Sequence, residues 1–256
     1  MPKKHRTNSV NFPPPQVPSQ NPTPPPPPPP PRAITRKPLT QKPIQRNSYQ
    51  RNNNPFVVSN AIIAINLGLF VWSQISGVDR FQYNMFLSRI FLDNGEWYRL
   101  VSAGFVHFGL FHVAMNMFLL FQLGRMLEPT IGSTKFALIY FASLLGGSAG
   151  ALLLSPTAFT GGASGAVFGV MAAGVVGTGQ HGVNPLKTGL GMTFAINIVL
   201  TLAIPGISIG GHFGGALAGA LCGFVILAPA RIKIPEFVQY ATPILVGAAA
   251  IYISLA

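Results

Sequence analysis

The sequence predicts an all-α polytopic membrane protein that follows a disordered, proline-rich tail. Only 9% of the 256 residues are charged, whereas soluble domains carry about a quarter. Seven apolar segments of about the length that crosses a bilayer follow one another after residue 55, separated by Gly- and Pro-rich breaks. Residues 1–51 hold nine of the 17 Lys and Arg and no Asp or Glu. These features indicate a membrane-embedded helical bundle with a basic arm.

The seven apolar segments predict six core transmembrane helices and a seventh, C-terminal one. They cover residues 56–76, 100–123, 136–154, 163–178, 188–204, 210–227 and 237–255. Segment 77–99 carries both signs of charge and is too long for a simple hairpin, so we expect a structured outer loop. The predicted regions are a tail over residues 1–55, a six-helix core over residues 56–228, and a linker with the seventh helix over residues 229–256.

The distribution of basic residues predicts the orientation of the chain. The tail and one set of loops are basic, whereas loops 155–162 and 205–209 are uncharged. Because Lys and Arg favour the cytoplasmic side, we expect a cytoplasmic N-terminus in a cell membrane, plasma or inner. The tail lacks a nucleic-acid-binding fold, so its charge does not indicate nucleic acid. Its proline run, 24–31, predicts polyproline II, as a spacer or as the ligand of a proline-recognising partner.

Five polar residues lie at similar predicted depth, in the outer half of the bilayer. They are His107, His112 and Asn116 in the second predicted span, Ser164 at the start of the fourth, and His212 near the start of the sixth. His112 and Asn116 are four residues apart and share a helix face. Each residue alone is compatible with hydrogen bonding between helices. Together they indicate a polar cavity, because intramembrane polar groups are costly unless they face a cavity or one another.

Small residues predict that the fourth and sixth spans pack closely. They recur every fourth position as Gly161, Gly165, Gly169, Ala173 and Gly177, and again as Gly211, Gly215, Gly219 and Gly223. Each series forms a smooth stripe that a neighbouring helix backbone can approach. Mutual packing of the stripes would bring the segments that carry the serine and the histidine together.

The sequence predicts a Ser–His dyad, because serine needs a general base to become a nucleophile. All five Asp and Glu lie in loops or at span ends, so we expect no carboxylate to orient His212. Packing against Phe168, one turn after Ser164, would hold the ring instead. The Ser164 backbone N–H at a helix start, the Asn116 amide and the His112 ring N–H are candidate donors to an oxyanion.

The sequence resembles the rhomboid intramembrane serine proteases. The resemblance is carried by five elements in family order: GEWYRL (95–100), HFGLFHVAMN (107–116), GRMLEPTIGS (124–133), GGASGAVFG (161–169) and GGHFGGALAG (210–219). It implies a six-helix rhomboid core plus the seventh helix, with Ser164 as nucleophile and His212 as general base. It also implies an oxyanion hole formed by His112, Asn116 and the Ser164 backbone N–H.

The resemblance implies supporting roles for further residues. His107 would lie near the active-site cavity, Trp97 and Arg99 would belong to the outer loop, and Glu128 would stabilise the fold. Phe168 stands where a bacterial member has tyrosine, so its ring can stack on the histidine but cannot donate a hydrogen bond.

The predicted function is that of an intramembrane serine endopeptidase. It would cleave transmembrane protein substrates, within the lipid bilayer, through an acyl-enzyme on Ser164. The alternative is a catalytically silent rhomboid-like protein that binds and delivers client transmembrane helices. We expect no cofactor and no metal, since the chain has no HExxH motif and one cysteine, Cys222.

Overall fold

The computed structural model describes residues 56–256, so the predicted tail and its proline-recognising partner lie outside the described residues. Ten α-helices follow in this order: α1 Val57–Ser76, α2 Val78–Tyr83, α3 Arg89–Asp93, α4 Arg99–Ser102, α5 Leu110–Ile131, α6 Ser133–Leu154, α7 Ser164–Gln180, α8 Gly189–Ala203, α9 Ile209–Ile226 and α10 Glu236–Leu255. The remaining regular elements of this part are two 3₁₀ turns and one isolated bridge, between Leu87 and Thr160. The predicted all-α fold class is confirmed.

Five of the described helices are long and apolar enough to cross a membrane: α1, α5, α6, α9 and α10. The protein is therefore an integral, multi-pass membrane protein. Two further predicted spans correspond to shorter helices, because α7 has 17 residues and α8 has 15. The count of six core spans plus one stays a prediction.

The second long helix begins later than the sequence suggested. We expected a span over residues 100–123, whereas α5 begins at Leu110 and a 3₁₀ turn and an extended segment precede it. The carbonyl oxygen of Ala103 accepts a hydrogen bond from Gly162 N, and that of His107 accepts one from Gln82 Nε2. Partners elsewhere in the fold therefore satisfy carbonyls that a continuous helix would use itself. His107 consequently lies before α5 and not on its face.

Two glycine seams hold α9 between its neighbours. A Cβ on Gly215 or Gly219 would meet the backbone of Gly165 or Gly169, so α7 and α9 run parallel with their backbones in contact. This arrangement confirms the packing predicted from the glycine stripes. A second seam, which the sequence reading missed, joins α6 to α9 in the opposite direction and involves Gly146, Gly150, Gly210 and Gly214. Only glycine permits such close approach, so the spacing of these helices is set by sequence.

The outer loop is built around the buried guanidinium of Arg99. It donates two hydrogen bonds to the Glu96 carboxylate, at 2.6 and 2.9 Å, and one each to the carbonyl oxygens of Tyr83 and Phe86. It also lies 3.9 Å from the ring centroid of Phe91. The hydrogen bonds from Arg99 hold the pKa of Glu96 below its ordinary value, so this carboxylate stays ionised at neutral pH.

At the other end of the bundle, Glu128 ties three helices together. Its carboxylate accepts hydrogen bonds from the backbone N–H groups of Val58 and Ser59, from Ser59 Oγ and from Ser133 Oγ. The first two are unpaired donors in the first turn of α1. An anion at a helix N-terminus is also favoured by the helix dipole. Glu128 of α5 therefore caps α1 and reaches the start of α6.

Candidate active site

The site is assembled where α7 begins. The loop before α7 is held by the outer loop, because Leu87 and Thr160 exchange two backbone hydrogen bonds of 2.9 Å and Gly162 N donates to Ala103 O at 2.8 Å. Gly162 has φ +126°, a region that residues with a side chain rarely adopt. Ser164 follows as the first residue of α7. The backbone N–H groups of this first turn have no partner within the helix.

Ser164 and His212 lie within hydrogen-bond distance of each other. Ser164 Oγ is 2.7 Å from His212 Nε2, and His212 lies in the first turn of α9. Ser208 caps α9 by accepting a hydrogen bond from Gly211 N, which fixes where the helix begins. The seam between α7 and α9 places the two first turns side by side. The two residues expected to form the dyad are therefore brought together.

Two helices hold the ring of His212. Phe168 of α7 stacks on it with ring centroids 4.0 Å apart and planes 20° apart, which is the contact expected from the sequence. Thr201 of α8 lies on the opposite nitrogen, with its Oγ1 2.7 Å from His212 Nδ1. Both His212 and Thr201 are buried. The position of the ring is thus fixed at one face and at both nitrogens.

His112 lies beside the start of α7, whereas the Asn116 amide makes no hydrogen bond with Ser164. A Cβ on Gly162 would stand 2.8 Å from His112 Nε2 and 3.8 Å from Ser164 Oγ, so both atoms border the same small space. Asn116 is buried on the same helix, and its Nδ2 donates to the carbonyl oxygen of His112 at 3.1 Å. One amide hydrogen of Asn116 is therefore engaged with its own helix, and the second remains for another acceptor.

The other predicted site residues occupy different places. His107 is buried edge-on to His112, with ring centroids 4.9 Å apart, so it borders the site from the loop before α5. Arg99 belongs to the outer loop and contacts neither Ser164 nor His212. Trp97 is 66% exposed and contributes nothing to the interior of the site.

Two residues of the site were missed by reasoning from the sequence. Thr201 lies in the apolar helix α8, where a threonine commonly hydrogen-bonds to its own helix. Nothing in the sequence therefore indicated that it contacts His212 of α9. Gly162 is not part of the predicted glycine stripes and received no role from the sequence, although its positive φ and its closeness to His112 both constrain it. Among residues 56–256, no group of three or more His, Cys, Asp or Glu could hold a metal ion.

A family model for the Rhomboid domain matches residues 94–229, which include every residue of the site described above. The chain belongs to the rhomboid family. Similar relatives of this rhomboid include the Rhomboid protease GluP of Bacillus subtilis, 33% identical over 128 residues and 49% of the chain. RHOMBOID-like protein 5 of Arabidopsis thaliana is 36% identical over 55% of the chain, and the mitochondrial RHOMBOID-like protein 6 of the same plant is 29% identical over 72%.

The chain spans less than two thirds of these relatives. The matched regions are 25% of the Bacillus protein and 48% and 56% of the two Arabidopsis proteins. The likeness therefore concerns only a part of each relative, and one of the three is named a protease. The likeness supports a relationship between this rhomboid and the intramembrane proteases.

Proposed function

We propose that this rhomboid is an intramembrane serine endopeptidase that uses a Ser164–His212 dyad. The observation that carries the proposal is the 2.7 Å distance between Ser164 Oγ and His212 Nε2, at the adjoining first turns of α7 and α9. A serine hydroxyl at this distance from an imidazole has a general base in hydrogen-bond reach. In the described residues no carboxylate approaches the histidine, so the mechanism is that of a dyad.

In the first half of the reaction Ser164 Oγ attacks the carbonyl carbon of a peptide bond and its proton passes to His212 Nε2. The tetrahedral intermediate collapses when the C–N bond breaks and His212 returns the proton to the leaving amine. The product is an ester between Ser164 Oγ and the acyl part of the substrate. In the second half water attacks this ester, gives its proton to His212, and the proton returns to Ser164 as the acid leaves.

The oxyanion of each tetrahedral intermediate would be held by the Ser164 backbone N–H, the His112 ring and the Asn116 amide. The free N–H groups and the dipole at the start of α7 favour negative charge there. In the structure His112 borders the same space as Ser164, whereas Asn116 donates to its own helix. A role for Asn116 in the oxyanion hole therefore requires that its remaining amide hydrogen, or a rotated side chain, reaches the intermediate.

We propose that the substrates are transmembrane proteins, cleaved in or near their helices, and that the site opens to the outer side. Five of the eight Lys and Arg of residues 56–256 lie at the opposite end of the bundle, which supports a cytoplasmic N-terminus in a plasma or inner membrane. Residues 56–228 would form the protease core, residues 229–256 would add the seventh helix, and residues 1–55 would form a cytoplasmic tail.

The test is cleavage of a model single-pass protein by the purified, full-length chain in detergent. We expect Ser164→Ala and His212→Gln to lower kcat/KM by at least about a thousandfold, as removal of a nucleophile or base does in serine proteases. Ser155→Ala, an exposed serine in the loop before α7, should match wild type. Cleavage by Ser164→Ala at the wild-type rate would exclude the dyad.

The same variants separate the protease from a silent binder of client helices. A serine-reactive fluorophosphonate forms a covalent bond only with an activated serine, so it should label wild type and Ser155→Ala but not Ser164→Ala or His212→Gln. A wild-type chain that binds the model substrate without cleavage, and that stays unlabelled, would support the binder instead.

A further inference from the structure

The hydrogen bonds around Thr201 determine which nitrogen of His212 carries the proton. Thr201 Oγ1 lies 2.7 Å from the carbonyl oxygen of Asn197, one turn earlier on α8, and 2.7 Å from His212 Nδ1. A hydroxyl has one hydrogen, and a carbonyl oxygen can only accept. If the hydrogen pointed at His212, two oxygen acceptors would face each other at 2.7 Å with no hydrogen between them. Thr201 therefore donates to Asn197 and accepts from His212.

From this direction the state of the imidazole follows. Nδ1 must carry a hydrogen in order to donate to Thr201, and a neutral ring with Nδ1–H has an unprotonated Nε2. Nε2 is the nitrogen 2.7 Å from Ser164 Oγ. The hydrogen bonds thus run in one direction, from Ser164 to His212, from His212 to Thr201 and from Thr201 to the Asn197 carbonyl. Because that carbonyl oxygen can only accept, the direction of the series is fixed.

We propose that Thr201 is a positioning residue that holds His212 in the tautomer able to accept the Ser164 proton. This inference rests on the proposed function. The hydroxyl takes the place of the carboxylate that orients the histidine in other serine proteases. It carries no charge, which suits a buried position in a membrane where an ionised carboxylate is costly. When Nε2 gains the proton, Nδ1–H keeps its acceptor, so nothing has to rearrange during the transfer.

The placement of Thr201 on α8 makes it the polar link between this helix and the site. Gly191 and Thr201 are the buried residues of α8, and most of its other side chains are partly or fully exposed. Phe194, two turns before Thr201, meets Phe168 edge-on with ring centroids 6.0 Å apart. Phe168 in turn stacks on His212. The helix therefore supports the histidine through one hydrogen bond and one aromatic contact.

The first test compares Thr201→Val, which keeps the shape and removes the hydroxyl, with Thr201→Ser, which restores the oxygen. Loss of one hydrogen bond to a group that becomes charged should lower kcat by about 10- to 100-fold with KM changed less than about twofold. Thr201→Ser should recover kcat to within about fivefold of wild type. Thr193→Val, the same change about two turns earlier on α8, should behave as wild type. Equal kcat for Thr201→Val and wild type would overturn the proposal.

The second test does not depend on proteolysis. ¹⁵N spectra of ring-labelled histidine, with the His212 signals assigned by their loss in His212→Gln, report which nitrogen is protonated. We expect Nδ1–H and a bare Nε2 in wild type and in Thr201→Ser, and a mixture of tautomers in Thr201→Val. Nε2–H in wild type would refute the assignment. If wild type neither cleaves the substrate nor reacts with the fluorophosphonate, the proposed function fails, and the spectra still decide the role of Thr201.

Discussion

Gly162 is constrained twice, by its backbone and by its neighbour. Its φ of +126° strains any residue with a side chain, and an added Cβ would stand 2.7 Å from His112 Cε1. The same residue donates its N–H to Ala103 O, which anchors the loop that leads into Ser164. A single glycine therefore determines both the path of the chain into α7 and the space left for the His112 ring.

Replacing Gly162 with alanine should reduce reactivity without removing the dyad. The added methyl displaces His112, one of the proposed oxyanion donors, and loss of such a donor costs about 10²- to 10³-fold in kcat. We expect the rate of fluorophosphonate labelling of Gly162→Ala to fall at least about tenfold. Gly206→Ala is the matched control, since Gly206 has φ +85° but open space around it. A labelling rate equal to that of the control would show that the contact with His112 is unimportant.

The helix seams show how small residues act at the level of whole elements. Where Gly215 and Gly219 face Gly165 and Gly169, the α7 and α9 backbones touch. The Ser164–His212 pair lies at the N-terminal end of that seam. Separation of the two helices would therefore lengthen the distance between the serine oxygen and the histidine nitrogen. The glycines of α6 hold α9 from its other side, so α9 has little room to adjust.

Gly219→Ala should weaken both the fold and the site. The methyl group would enter the backbone of α7 at Gly169, and overpacking of this kind costs about 1–3 kcal/mol. That range corresponds to a fall in Tm of about 2–12 °C for a domain of this size. Gly68→Ala in α1, where nothing lies within 4 Å, serves as control and should not lower Tm. Thermal unfolding in detergent measures both, and an equal Tm for the two variants would contradict the seam.

The charges of the whole molecule are unevenly distributed between the two ends of the bundle. Glu128 contacts the start of α1, Arg231 donates to the carbonyl oxygen of Gln180, and Lys135 donates to Gln239, so these contacts define one end. The basic residues of that end are Arg125, Lys135, Lys187, Arg231 and Lys233. The other end holds the outer loop, with both signs of charge, and the site. The first end is therefore the one expected in the cytoplasm.

Cysteine labelling tests this orientation. Ala158 lies in the loop before α7 and Val183 in the loop after it, and both are exposed. In a Cys222→Ala background, a membrane-impermeant maleimide should label Ala158→Cys in intact cells, because the proposed orientation places that loop outside. Val183→Cys should react only after the cells are permeabilised. Labelling of Val183→Cys alone in intact cells would place the site on the cytoplasmic side.

The spacing of residues along the sequence was sufficient to predict the fold class, one helix–helix contact and the proximity of Ser164 to His212. The apolar segments predicted the helical membrane fold, and a four-residue repeat of glycine predicted the seam between α7 and α9. Polar residues at matched depth predicted that Ser164 and His212 would meet. Each of these depends on helix geometry, which repeats so regularly that spacing in the sequence becomes position in space.

The contacts between segments distant in sequence were decided by the tertiary structure. Hydrogen bonds from Gly162 N and from the Gln82 side chain engage the carbonyl oxygens of Ala103 and His107, so α5 begins only at Leu110 and His107 lies before it. The pairing of Thr201 with His212, and of Gly162 with His112, depends on how α8 and α5 pack against the α7–α9 pair. A threonine or a glycine satisfies many environments equally well, so neither residue reveals its partner until the helices are assembled around it.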